Sequence, residues 1–248
     1  MSLQEQFAQD LTVAHPDADL HWVALNDIAA AFRLSPEAMF QTPANSNVHP
    51  SSLQPVLKRS LDLMIAVPMA VLCAPLLAVL ALIVRLDAGG PVLFRQTRSG
   101  QDGRPFEILK FRTMTVMENG ETIVQAQVDD ARVTRSGKWL RKTSLDELPQ
   151  LFNVIKGDMS LVGPRPHALA HDTYYGDRID TYALRQTVKP GITGWAQVHG
   201  HRGQTPALDD MRARVGFDVF YAKNASLALD LIVLAMTPFE VLRGRNAH

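Results

Sequence analysis

"KRSLDLMIAVPMAVLCAPLLAVLALIVRLD", Lys58 to Asp87, decides what kind of fold the chain can adopt. From Leu63 to Val84 there are 22 consecutive residues without a charge. As a straight helix they would extend roughly 33 Å, enough to cross the hydrocarbon of a bilayer. Two features argue against a simple span. Pro68 and Pro75 each remove a backbone donor, and Pro75 lies near the middle. Basic residues flank both ends, Lys58 and Arg59 before and Arg85, Arg95 and Arg98 after, whereas a span concentrates them on one side. A helix broken at Pro75, with arms of about 12 residues that enter and leave one leaflet, satisfies both observations. A true span, in which prolines are tolerated, and a buried helix of a soluble core stay open from the residues alone.

Around this segment the chain divides into unequal parts. Its 248 residues suit one domain with an appendage and can bury a real core. The 25 basic and 25 acidic residues cancel, so bulk charge gives no case for nucleic-acid binding. The single cysteine, Cys73, permits no internal disulfide. The start, "MSLQEQFAQDL", lacks the basic lead and apolar core of a secretory signal. Residues 1–50 read as an appendage of unassigned function, with a helix start at Ser35-Pro36-Glu37 and a linker in "QTPANSNVHPSSLQP" from Gln41. Residues 51–90 read as the membrane segment and 91–248 as the main domain.

In that domain "PVLFRQTRSGQDGRPFEILKFRTM" predicts two strands joined by a turn at Ser99–Gly103. "TRSGKWLRK", from Thr134, predicts a basic helix. "VKPGITGWAQVHGHRG" is Gly-dense and predicts loop or short strand. "SLALDLIVLAMTPFEVL" predicts an apolar helix carrying one carboxylate, Asp230, and kinked or ended by Pro238. The fold class is therefore α/β or α+β: a small sheet around the Phe94–Phe111 hairpin, covered by helices, with the broken helix and interfacial amphipathic helices at the bilayer.

The chemistry lies in "TSLDELPQLFNVIKGDMSLVGPRP", Thr143 to Pro166. Asp146 and Glu147 are adjacent, with Pro149 close behind. Ser144 with Glu147 matches a capping box, but that register puts Pro149 where its N–H is needed. An N-cap at Asp146 puts Pro149 at N3, where the missing donor costs little. Acids are favoured there by the helix dipole, so capping alone could explain both. A functional reading draws on nearby Arg141, Arg165, Lys110 and Arg112. Two carboxylates can hold a hard divalent cation, and Arg and Lys can clamp phosphate oxygens. Together they suit phosphoryl transfer, in which an Asp can also attack phosphorus. Asp230, in an apolar run, is costly to bury unless paired or metal-linked; the polar face of an amphipathic helix is the alternative.

"KRSLDL", "FEILKFRTM", "LRKTSLDELPQLFNVIKGDMSLVGPRP", "VKPGITGWAQVHGHRG" and "FDVFYAKNASLALDL" occur in this order. Over roughly residues 55–245 the chain resembles the bacterial sugar transferases, the monotopic phosphoglycosyl transferases. The resemblance implies transfer of hexose 1-phosphate, glucose or galactose, from a UDP-sugar to undecaprenyl phosphate with Mg²⁺, as the first membrane step of exopolysaccharide, O-antigen or capsule synthesis. It implies that Asp146 attacks the β-phosphorus, that UMP leaves a phosphosugar-aspartate, and that the polyprenyl phosphate attacks that intermediate. Glu147 and Asp230 are implied as metal partners of Asp146. Lys110, Arg112, Arg141, Pro164, Arg165, Gln197 and Arg202 are the implied substrate contacts. Lys58, Arg59 and Pro75 are the implied landmarks of a re-entrant insert, although the family's Ser-Pro step is here Ala74-Pro75. His199 and His201 stand where related enzymes often carry Asn and an aromatic; loop histidines are more often simply exposed than sugar contacts.

The implied site lies at the inner leaflet of the bacterial inner membrane, on its cytoplasmic face, where a soluble nucleotide sugar and a membrane-held lipid phosphate meet. Interfacial helices would permit a homodimer. Competing readings are a non-catalytic scaffold of a polysaccharide-assembly complex and a nucleotide-sugar hydrolase. The residues do not choose between glucose and galactose.

Overall fold

The computed structural model describes residues 54–115, 130–205 and 207–243. The appendage and most of the linker read in the sequence lie outside the described residues.

The hairpin forms where the sequence predicts two strands and a turn. Strand β1 (Leu93–Ser99) pairs antiparallel with β2 (Pro105–Phe111), Phe94 opposite Lys110 and Ser99 opposite Pro105. The turn between them closes through left-handed residues, Asp102 at φ 54° and Gly103 at φ 72°. A second sheet was not anticipated: β3 (Ser160–Val162) runs parallel to β4 (Gly191–Thr193), so the described residues hold two two-stranded sheets rather than one. Glycine makes this contact feasible. A Cβ on Gly163 would stand 2.2 Å from the Lys189 carbonyl oxygen, and one on Gly191 would stand 2.1 Å from the Gly163 nitrogen.

Helix α1 spans Gln54–Ala88. The expected break at Pro75 is not a break in the helix, which continues through both Pro68 and Pro75. A single missing donor at each site interrupts little of a 35-residue ladder. Both prolines are exposed and lie seven residues apart, on one face. Asp62, Ala66, Ala70, Leu80 and Val84 are buried on the opposite face, against the rest of the molecule. A proline ring on the outer face favours curvature toward the inner one.

Helices α2 (Arg135–Thr143) and α3 (Gln150–Lys156) flank the carboxylate turn. Helix α4 (Leu169–Gly176) and the single-turn α5 (Trp195–Val198) follow, then α6 (Leu208–Lys223) and α7 (Leu227–Arg243). Pro238 does not end α7, which runs five residues beyond it. The main core joins Trp195, Phe220 and Leu229 to Leu161 of β3, Ile108 of β2 and Ala66 of α1. A second cluster sets Leu80 and Val84 of α1 against Phe111 and Leu140.

Both ends of α1 are thus docked on one body. At the start, Arg59 donates to the carbonyls of Val154 at 2.6 Å and Ile155 at 2.8 Å, at the end of α3. Asp62 accepts from Ser160 Oγ and the Leu161 N–H, each at 2.9 Å. At the far end, Asp87 accepts from the Ser136 N–H at 2.8 Å, in the first turn of α2. Between these anchors Met64, Val71, Leu72 and Val79 are exposed.

The basic helix starts where the sequence predicts, with Thr134 as N-cap accepting from the Gly137 N–H at 3.0 Å. Gly137 also lets α2 approach the segment just after β2: a Cβ there would stand 2.2 Å from the Thr113 carbonyl oxygen. Gly137→Ala is therefore expected to destabilise the protein by about 1–3 kcal/mol through overpacking. The exposed Lys142→Ala should change stability by less than about 0.5 kcal/mol. Denaturant unfolding of the two variants checks the contrast.

Candidate active site

Of the two helix-start registers, the one with its N-cap at Asp146 does not hold; Ser144 stands as N-cap, but of a single 3-10 turn and without a capping hydrogen bond. Helix α2 ends at Ser144, left-handed at φ 61°. Leu145–Glu147 form one 3-10 turn, and α3 starts only after Pro149. Pro149 serves as N-cap, where no intrahelical N–H is required of it. Asp146 and Glu147 are both buried in this turn and neither caps a helix. Capping therefore does not explain them.

Three cations from separate segments meet Glu147. Lys110 Nζ, on β2, lies 3.0 Å from Oε1. Arg165, beyond β3, places Nη2 at 2.6 Å from Oε1 and Nη1 at 3.2 Å from Oε2, a two-pronged pair. Arg202, after α5, brings Nη2 to 3.8 Å from Oε2 and donates to Ser144 Oγ at 2.6 Å. Although burial opposes it, this field of Arg165, Lys110 and Arg202 holds the Glu147 carboxyl well below the usual carboxylate range. Burial, only partly offset by Glu147, lowers the Lys110 ammonium.

Asp146 is different. No hydrogen bond or ion pair engages its carboxylate among the described residues. Burial, then the Glu147 charge, push its pKa up to about 6, against the pull of Lys110, Arg165 and Arg141. One turn thus presents a fixed carboxylate and an unengaged, basic one.

The remaining residues divide. Arg141 is near enough to act on Asp146. Pro164 supports Arg165 through its carbonyl, which accepts from the Gly191 N–H at 2.9 Å. Arg112 points elsewhere: its guanidinium is buried against Gly90 and donates to the Gly89 carbonyl, so it braces the exit of α1. Gln197 donates to the Ile192 carbonyl at 2.8 Å and braces β4. Asp230 is buried, but its partners are Lys58 Nζ at 2.7 Å and the Tyr221 hydroxyl at 2.6 Å. An ammonium and a hydroxyl meet the need for pairing that a metal was expected to meet. His199 is not simply exposed: it is half-buried, with Nδ1 at 2.7 Å from the Trp195 carbonyl oxygen. His201 lies against Phe217, ring centres 4.7 Å apart.

No group of three or more His, Cys, Asp or Glu that could hold a metal occurs among the described residues, so the expected set of Asp146, Glu147 and Asp230 is not assembled. Mg²⁺ is commonly held by one or two carboxylates, with waters and substrate phosphates completing the shell. The unengaged Asp146 beside Glu147 fits that donor chemistry.

The sequence reading took Ser144 only as a candidate cap and missed Arg185 and Asp218. Arg185 Nε and Nη2 lie 3.0 and 2.9 Å from Asp218 Oδ2, in a fully interior pair. Asp218 had a legible signal, a lone carboxylate within the apolar "GFDVFY", costly to bury unpaired.

The raised pKa of Asp146 has a sign for stability. The folded state holds this proton more tightly than the unfolded chain, whose aspartates titrate near about 4. The contribution of Asp146 to stability is therefore lost as pH rises from about 4 to about 6 and stays absent above that. Asp146→Asn should stabilise the protein at pH 7.5, by up to about 2–3 kcal/mol, and the gain should vanish toward pH 4. Thermal unfolding of both proteins across that range checks it.

The chain matches the bacterial sugar transferase family over residues 53–244. It is 50% identical over 198 residues to the UDP-glucose:undecaprenyl-phosphate glucose-1-phosphate transferase of Escherichia coli K12, an alignment covering 80% of this chain and 43% of the relative. A Caulobacter vibrioides protein of the same description is 52% identical over 191 residues, 77% of this chain and 72% of that one. An Aeromonas hydrophila protein named UDP-N-acetylgalactosamine-undecaprenyl-phosphate N-acetylgalactosaminephosphotransferase is 42% identical over 200 residues, 80% of this chain and 47% of that one. The chain thus spans under half the length of the first and third of these relatives. With the Asp146–Glu147 turn, its basic clamp and a match over most of its length, this chain belongs to the bacterial sugar transferase family.

Proposed function

We propose that the chain transfers glucose 1-phosphate from UDP-glucose to undecaprenyl phosphate, through a phosphosugar bound to Asp146. The observation that carries this is the contrast within one turn. Glu147 is fixed by Lys110, Arg165 and Arg202, while Asp146 beside it is unengaged among the described residues and more basic than an ordinary aspartate. A carboxylate of that kind is ionised at neutral pH yet keeps its nucleophilicity.

In the first step an Asp146 oxygen bonds to the sugar-bearing phosphorus as the bond from that phosphorus to the UMP oxygen breaks. In the second, a phosphate oxygen of the lipid bonds to the same phosphorus and the Asp146 oxygen leaves as carboxylate. Neither step needs a redox partner. Lys110, Arg165 and Arg202 orient Glu147 and supply positive charge beside the transferring phosphoryl group. Asp146 and Glu147 are the residues that would hold Mg²⁺, which would neutralise charge on the diphosphate. Glucose is favoured over galactose because relatives at 45–52% identity are named for glucose.

Membrane docking fits this chemistry. Helix α1 is apolar and long enough to cross a bilayer, and its most apolar stretch is only 17% buried. Yet residues at both of its ends bond to the same body. These bonds support a reading in which α1, curved about its buried face rather than broken at a proline, enters and leaves one leaflet. That leaflet is the cytoplasmic one of the inner membrane, where the nucleotide sugar is available.

The test is UMP release by purified, detergent-solubilised protein with UDP-glucose, UDP-galactose or UDP-N-acetylgalactosamine, with and without undecaprenyl phosphate. Lipid-dependent, EDTA-sensitive release is expected, fastest with UDP-glucose and reduced at least about a thousandfold in Asp146→Asn. Release that ignores the lipid would support a hydrolase, and release unaffected by Asp146→Asn would refute the covalent route. For topology, cysteines placed at residues 54 and 89 of a Cys73→Ala protein should both label from the cytoplasmic side. Periplasmic labelling of residue 54 alone would refute the re-entrant arrangement.

A further inference from the structure

Behind Arg165 lies a buried polar assembly that the transfer chemistry does not use. Its hub is Arg185, in the 3-10 turn Tyr182–Gln186 that precedes β4. The side chain is 3% exposed, and that of its partner Asp218, in the middle of α6, is 2% exposed. Two guanidinium nitrogens of Arg185 reach Asp218 Oδ2, at 3.0 and 2.9 Å. The Nη2 group also donates to the main-chain carbonyl of Arg165. The guanidinium stands 5.3 Å from the Tyr182 ring centre, and Nη1 is 4.0 Å from Asp172.

Arg165 is thereby held at three points. Its side chain grips Glu147. The residue before it, Pro164, accepts the Gly191 N–H at 2.9 Å. Its own carbonyl is taken by Arg185. Burying an arginine and an aspartate in the interior is costly, and a hydrophobic pair would hold the fold at least as well. What a hydrophobic pair could not supply is a donor aimed at one carbonyl, that of the residue whose side chain clamps the site.

We propose that Arg185, anchored by Asp218, is a positioning residue that acts through Arg165: it fixes the Arg165 main chain so that the guanidinium meets Glu147 in its two-pronged geometry. This rests on the reading of Asp146 and Glu147 as the reacting pair. A displacement of an ångström at such a clamp is enough to cost about a hundredfold in rate.

The test is a double-mutant cycle on the full chain in detergent: wild type, Asp218→Asn, Arg165→Gln and the double variant. Asp218→Asn keeps the shape of the side chain, and Arg185→Lys, which keeps the charge but not the forked geometry, serves as a second probe. Asp218→Asn is expected to lower kcat about tenfold in the wild-type background and less than about twofold where Arg165 is already Gln. Equal loss of kcat in both backgrounds, with Arg185→Lys retaining full activity, would overturn the proposal and leave the pair a purely structural one. If wild type transfers no sugar at all, the proposed function fails, and the positioning claim is then read from denaturant unfolding of the Asp218→Asn, Glu147→Gln cycle. A folding constant of the double variant at least about threefold away from the product of the single effects supports the link, and additivity refutes it.

Discussion

The grip of Lys110, Arg165 and Arg202 on the Glu147 carboxylate is the interaction on which the rest of this site depends. These cations come from a hairpin, from the segment after a short parallel strand, and from a loop near the last two helices. Bringing them to one carboxylate fixes the relative placement of those parts. Removing the clamp would leave Glu147 a buried charge without compensation, a large penalty on the scale of protein stability. The same field governs Asp146. Burial, then the fixed negative charge of Glu147, raise the basicity of Asp146 against the pull of Lys110, Arg165 and Arg141, and no hydrogen bond or ion pair engages it among the described residues. Structure and reactivity here have one electrostatic origin.

Helix α1 gives that site a place to work. Its first turns are wired to the end of α3 and the start of β3, and its last turn to α2. Helices α2 and α3 flank the carboxylate turn, and β3 leads directly to Arg165. The apolar segment exposed between the two docked ends fits association with a membrane. In the proposed reaction, that placement would let a lipid phosphate and a soluble nucleotide sugar reach the same site.

Much of this was legible in the sequence, because the decisive signals were local. The strand runs on either side of the Ser99–Gly103 turn encoded the hairpin, Thr134 the start of α2, and the adjacency of Asp146 and Glu147 the candidate site. The failures share a cause. Pro75 and Pro238 looked like breaks because a proline's cost is counted locally, whereas packing along a whole helix face carries the chain through them. The capping box did not form because Ser144 is left-handed and its hydroxyl is bound by Arg202, 58 positions away, and the register at Asp146 did not form because α3 starts only after Pro149. Asp230 was expected at the metal, but Lys58, 172 positions earlier, reaches it first. Arg112 and Arg165 look alike as basic residues in short motifs, and only the fold shows that one braces α1 and the other the carboxylate. The parallel β3–β4 pair needed a contact between two glycines that no local pattern announces.

The central claim is that Asp146 is the atom donor to phosphorus. Intact-mass measurement of the purified protein after brief exposure to UDP-glucose and Mg²⁺, without lipid acceptor, tests it most directly. A mass gain of one hexose phosphate, mapped by peptide fragmentation to Asp146 and discharged by undecaprenyl phosphate, is the predicted result. UMP release with wild-type kinetics but no modified Asp146, or modification at another residue, would contradict it.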